Sequence, residues 1–247
     1  MSANHAAFNL IFRFVENYVS PIAGRISSQR HVMAIRDGFI SAMPFMIVGS
    51  FLLVFAYPPF SPDTTWGFAR AWLDMAKQFE GQILTPFDMT MGIMSIYICA
   101  AISYNLGKHY EKTHQLDPFM CSMLSIMAFL LVAAPKTNGT LPVDSLGGTG
   151  IFTAILVAIY CVEMMRFLKA HNIGIRLPDQ VPPMIKNSFD LLIPVLVVVL
   201  TLYPLSLFIQ SQFDMLIPQA IMSLFKPLVS AADSLPAILL AVLIGHL

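Results

Sequence analysis

Hydrophobic positions dominate long stretches of this chain, and charge is absent from five of them. Residues 39–57, 89–107, 118–135, 145–162 and 191–213 contain no Asp, Glu, Lys or Arg. At about 1.5 Å of rise per residue, runs of this length match a hydrocarbon core about 30 Å thick. Lipid offers the backbone no hydrogen-bond partner, so each run is expected to be a helix. A sixth apolar run starts near Leu235 and stops with the chain at Leu247. It is short for a span, with no basic flank after it. The expectation is therefore five complete membrane-spanning helices, a truncated sixth, and a shortened or incomplete gene product.

Two further stretches alternate with helical spacing. In the first, Phe8, Ile11, Phe12, Val15, Tyr18, Val19, Ile22 and Ile26 recur every three or four residues, with polar residues between them. This predicts an amphipathic helix on the membrane surface, kinked or divided at Pro21, with partner binding as the sharper alternative. In the second, Met215, Leu216, Ile217, Ile221, Leu224 and Phe225 mark a similar helix within 214–234. The predicted regions are a cytoplasmic arm over 1–36, a five-span region over 37–213, and an outer amphipathic segment with the start of a sixth span over 214–247. The five-span region includes a cytoplasmic loop at 163–187.

Composition agrees with a helical membrane protein. Hydrophobic residues make up 57% of the chain and charged residues 11%, against about 25% charged in soluble domains. The net charge of zero gives no reason to expect a nucleic-acid partner. The distribution of Lys and Arg sets the orientation. The arm, 108–117 and 163–187 hold Arg13, Arg25, Arg30, Arg36, Lys108, Lys112, Arg166, Lys169, Arg176 and Lys186. The opposite segments hold Arg70, Lys77, Lys136 and Lys226. This asymmetry places the N-terminus in the cytoplasm. The first long apolar run begins near Gly38, too late for a cleavable signal peptide.

Candidate chemistry is sparse. Cys99, Cys121 and Cys161 lie inside apolar runs without a CxxC pair, which reads as buried thiols. No metal or cofactor motif is present. Asp88 precedes the second apolar run and either caps that helix or lines a polar cavity. Asp190 either caps the fifth span or pairs with Lys186. His246 reads as a packed core histidine before a functional one, Asn138-Gly139-Thr140 as turn chemistry, and Gly147, Gly148 and Gly150 as a close helix contact. Ile35-Arg36-Asp37-Gly38-Phe39 with Pro44 is echoed by Ile185-Lys186-Asn187-Ser188-Phe189 with Pro194. The echo fits either a parallel repeat or a shared way of entering the membrane.

The segment between the fourth and fifth spans carries a specific pattern: Leu177-Pro178-Asp179-Gln180-Val181-Pro182, then Ser188-Phe189 and Leu192-Ile193-Pro194. With the stretch from His31 to Ile40, Met43-Pro44 and Gly92-Ile93-Met94-Ser95, it resembles the membrane component, enzyme IIC, of bacterial phosphotransferase-system sugar transporters. The match is to the cellobiose/diacetylchitobiose branch of the lactose-type group. The resemblance implies a homodimeric permease in the bacterial cytoplasmic membrane, taking up a β-linked disaccharide. It also implies soluble IIA and IIB partners, with the donor phosphocysteine on IIB, so no catalytic residue is expected here. In the family the first half forms the dimer interface, and a second half holds the sugar with Gly-Ile-His-Gly and Asn-Glu-Pro motifs. His246 lacks the neighbours of that histidine, so no sugar-contact residue is carried over. The candidate site that remains is a gating loop containing Leu177, Pro178, Asp179, Val181 and Pro182. A static connector is the alternative.

Overall fold

A computed structural model describes residues 20–135, 139–175, 182 and 189–232. The regular elements of these residues are helical: α1 (Ser20–Ser27), α2 (Arg30–Ala56), α3 (Gly67–Asp88), α4 (Met94–His114), α5 (Pro118–Ala133), α6 (Ile151–Ala170, entered through a 3-10 turn at Gly148–Gly150), α7 (Leu192–Phe213) and α8 (Ile217–Ala232). Three are long and apolar enough to cross a membrane: Arg30–Ala56, Gly148–Ala170 and Leu192–Phe213. Pro118–Ala133 is apolar but shorter. Most of the stretch expected to form the N-terminal surface helix, and the whole run after Leu235, lie outside the described residues.

The core is built around α4. Its buried positions, Ser95, Ile98, Cys99, Ile102, Ser103, Leu106, Gly107 and Tyr110, repeat every three or four residues. On α2 the buried positions are all small: Ala34, Gly38, Ala42, Gly49 and Ala56. Small residues let helix backbones approach closely, the main source of packing attraction where lipid removes the hydrophobic drive. A Cβ on Gly38 would lie 2.4 Å from Ile102 Cγ1 and 2.9 Å from the Ile102 backbone nitrogen. The large residues of α2, among them Ile40, Val48, Phe51 and Phe55, point outward and are exposed. α4 turns into α5 through Gln115, whose φ is 52°. Pro118 then sits in the first turn of α5, and the Asp117 carboxylate accepts from the backbone N–H groups of Phe119 and Met120 at 2.9 and 3.3 Å. The three thiols are buried between α4, α5 and α6, and the Cys99 thiol donates to the Ser125 carbonyl at 3.5 Å.

Several boundaries differ from the sequence reading. The segment 58–81 is not only a polar loop, because most of it forms α3. The helix of the second apolar run begins at Met94, not at residue 89, since residues 89–93 form a turn. α6 continues past residue 162 to Ala170, so Glu163, Arg166 and Lys169 lie on a helix, not in the loop expected over 163–187. The expected helix within 214–234 is present as α8, where Phe225 stacks on Phe152 with ring centroids 4.3 Å apart.

Candidate functional site

Arg30 and His31 open α2, Tyr110 lies near the end of α4, and Glu163 and Arg166 lie on the last turns of α6. α2 packs antiparallel and α6 parallel to α4, which brings these five residues to one end of the bundle. One Glu163 oxygen accepts from His31 Nε2 at 2.9 Å and from the Tyr110 hydroxyl at 2.8 Å. The other pairs with Arg166 at 2.7 Å. The guanidinium carbons of Arg30 and Arg166 lie 5.6 and 5.0 Å from the centre of the Tyr110 ring. Tyr110 is 2% exposed, so its ring forms the floor of the cluster. A carboxylate near the end of a spanning helix is costly unless paired, and here three donors on three helices satisfy it. An open groove of 470 Å³ borders the cluster, lined by Tyr160, Glu163, Met164, Arg166 and Phe167.

A second ion pair stands beside the first. Lys169 Nζ lies 2.6 Å from Asp190 Oδ2. It joins the end of α6 to the residues just before α7, tying together the two ends of the connecting segment. The described partner of Asp190 is thus Lys169, not the Lys186 expected from the sequence, which lies outside the described residues. Leu177, Pro178, Asp179 and Val181 also lie outside the described residues. Pro182 is described, and it is exposed and outside any helix.

Asp88 does not open the helix of the second apolar run. It is the last residue of α3, and the residue before α4 is Ile93, which makes no side-chain cap. The chain between them turns tightly. The Gly92 N–H donates to the Phe87 carbonyl at 3.1 Å, and a Cβ on Gly92 would lie 2.5 Å from the Asp88 carbonyl oxygen. Thr90 and Met91 rest on Gly49 of α2, and the Gly92 carbonyl touches Gly147. The Ser95 N–H donates to the Leu146 carbonyl at 2.9 Å, and its hydroxyl donates to that of Gly147. The expected glycine contact is real, but it joins two irregular turns at the far end of the bundle.

Among the described residues no group of three or more His, Cys, Asp or Glu side chains could hold a metal ion. The polar groups of the Glu163 cluster fix three helices to one another. Sequence reading missed the Glu163 cluster because it assigned residues from 163 onward to a loop. The spacing of Glu163, Arg166 and Lys169, three residues apart along an apolar helix, was the available signal.

The model of the family described as "Phosphotransferase system, EIIC" matches residues 36–247. The chain belongs to the EIIC family. A cellobiose-specific EIIC component of Geobacillus stearothermophilus is 36% identical over 206 residues, covering 76% of this chain and 43% of the relative. A lactose-specific EIICB component of Streptococcus mutans is 33% identical over 219 residues, covering 86% of this chain and 37% of the relative. The crystal structure of the transporter ChbC, the IIC component of an N,N'-diacetylchitobiose-specific phosphotransferase system, superposes with a TM-score of 0.73. It shares 31% identity and covers 89% of this chain and 52% of ChbC. The chain thus spans about half the length of these relatives, or less. Family membership and the apolar helices make it a bacterial membrane protein.

Proposed function

We propose that this chain forms the scaffold half of an EIIC permease that carries a β-linked disaccharide, such as cellobiose or diacetylchitobiose, into the cell. The observation that carries this reading is the match of nearly the whole chain to one part of EIIC relatives named for cellobiose, lactose and diacetylchitobiose. In this reading α2, the α3–α4 unit, α5, α6 and α7 make five crossings of the bacterial cytoplasmic membrane, with the N-terminus inside. The Arg30 end of the bundle is its cytoplasmic end. Arg30, Lys112, Arg166 and Lys169 gather there, as the positive-inside rule requires. A second copy of the chain covers part of the exposed apolar surface in a homodimer, leaving the rest to lipid. Soluble IIA and IIB proteins supply the phosphoryl group, and the acceptor is the arriving sugar. Cys99, Cys121 and Cys161 are buried at membrane depth and take no part in that transfer. The Lys169–Asp190 pair holds the ends of the connecting segment, and Pro178, Asp179 and Pro182 gate sugar release beside the partner subunit.

Sugar class is tested in a strain lacking its own β-glucoside transporters but retaining IIA and IIB. The chain is co-expressed there with the remaining part of the Geobacillus stearothermophilus relative. Uptake of labelled cellobiose should be suppressed by unlabelled cellobiose or diacetylchitobiose, and not by a hexitol. Suppression by the hexitol alone would overturn the substrate class.

A further inference from the structure

Both tryptophans of the chain lie in one cluster of five rings at the Ala56 end of the bundle. Phe55 ends α2, Phe60 and Trp66 lie in the connection to α3, and Phe68 and Trp72 open α3. Trp72 meets Phe55, Phe60 and Phe68 with ring centroids 5.7, 5.7 and 5.9 Å away. Trp66 meets Phe60 and Phe68 at 5.8 and 5.4 Å. The indole N–H of Trp72 donates to the Phe55 carbonyl at 3.2 Å. The rings are held firmly by each other yet face outward: Trp66 is 59% and Phe68 61% exposed.

Along α3, Phe68, Trp72, Met75 and Phe79 follow at spacings of four, three and four, which aligns them on one stripe. Ala69, Leu73 and Ala76 face α2, with Ala69 and Ala76 buried. Arg70, Asp74 and Lys77 fall on the side away from the aromatic stripe and are exposed. A helix with Trp and Phe on one face and charges on the other is suited to the boundary between headgroups and acyl chains. The stripe is also continuous with Phe51 and Phe55, exposed on α2, a helix apolar enough to span the bilayer.

We infer that the aromatic cluster and the Phe68–Phe79 stripe form an anchor seated in the headgroup–acyl boundary of the leaflet at the Ala56 end. The anchor sets the depth of the α3–α4 elbow. α3 departs from helical geometry at Phe79, and its far end leads to Thr90 and Met91 against Gly49. Gly49 lies two turns inward from Ala56, about 10 Å at about 1.5 Å per residue. α3 therefore starts at the interface and ends inside the membrane, where α4 begins. A sugar platform fits the patch less well, because Asp74 and Lys77, which would bind hydroxyls, lie away from the rings. The inference rests on the membrane reading of the fold and not on the transport reading.

Because Trp66 and Trp72 are the only tryptophans, intrinsic emission reports on this cluster alone. The purified chain is reconstituted into phosphatidylcholine vesicles whose acyl chains carry bromine near the headgroup or near the chain terminus. The expected results are a blue shift on reconstitution, loss of more than half the emission with shallow bromines, and little loss with deep ones. The single-tryptophan variants W66F and W72F should each retain the shallow preference. Quenching by aqueous acrylamide with none by bromine would overturn the anchor. Protection from both would also overturn it, because a second copy would then cover the patch. Relief of quenching by cellobiose would overturn it in favour of a sugar platform. Failure of the chain to float with the vesicles would overturn the membrane reading itself.

Discussion

At the scale of single residues, position relative to the neighbouring backbone decides more than chemical type. Gly38 and Gly24 both lie on helices, but a Cβ on Gly24 has nothing within 4 Å, whereas one on Gly38 meets Ile102 side chain and backbone. Gly38→Ala should therefore cost about 1–3 kcal/mol through forced separation of α2 from α4. Gly24→Ala should leave the melting temperature in detergent unchanged or slightly raised. Equal melting curves for the two variants would contradict the close approach. Glu163 is the other decisive residue. Its side chain is partly exposed, so solvent screens its pairs, and Glu163→Gln should cost about 1 kcal/mol or less. Glu163→Leu removes the acceptor from His31, Tyr110 and Arg166 together and should cost more, about 1–3 kcal/mol. A double-mutant cycle between Glu163 and Tyr110, read by thermal melting, should return non-zero coupling.

At the scale of elements, the apolar runs were legible because a charge-free stretch of spanning length permits only a helix in lipid. The amphipathic helix α8 was legible for the same kind of reason, its spacing of apolar residues. α3 was not, because Arg70, Asp74, Lys77 and Glu80 made the segment read as polar, although Ala69, Leu73 and Ala76 repeat at helical spacing. The end of α6 was missed for a related reason. Charge was read as a loop signal, but Glu163 pairs with Arg166 on its own helix and accepts from His31 and Tyr110 on two others, and no local pattern records the latter two. Asp88 was placed on the wrong helix because the tight turn closed by Gly92 lies inside a charge-free run. Changing Gly92 to Val should disrupt that turn and expose Cys99 of α4. Maleimide labelling of Cys99, in a variant lacking the other two cysteines, should rise from none to readily detectable. No change in labelling would show that the elbow tolerates a side chain.

The connecting segment between α6 and α7 carries a prediction at the same scale. Reversing one charge of the tie, Lys169→Asp, should reduce sugar uptake in the complemented transporter. The paired exchange Lys169→Asp with Asp190→Lys should restore most of it. Substituting Pro178, Asp179 and Pro182 together by alanine should impair uptake while leaving the oligomeric state unchanged on size-exclusion chromatography with light scattering. Unchanged uptake would reduce the segment to a connector.

At the scale of the whole molecule, the family was legible from short motifs, while the arrangement of charges that joins α2, α4 and α6 was not. The motifs and the fold agree on one part of an EIIC permease, and sugar-contact residues could not be carried over to this chain. The described helices form a frame: small residues on α2 set its spacing from α4, and the Glu163 cluster locks one end. The most direct test is uptake of labelled cellobiose in the transporter-deficient strain. Its arms are this chain alone, the remaining part of the Geobacillus stearothermophilus relative alone, and both together. Uptake is expected only when both are present. Uptake by this chain alone would contradict the placement of the sugar site, and the absence of uptake with both, despite their co-purification from the membrane, would contradict the scaffold role.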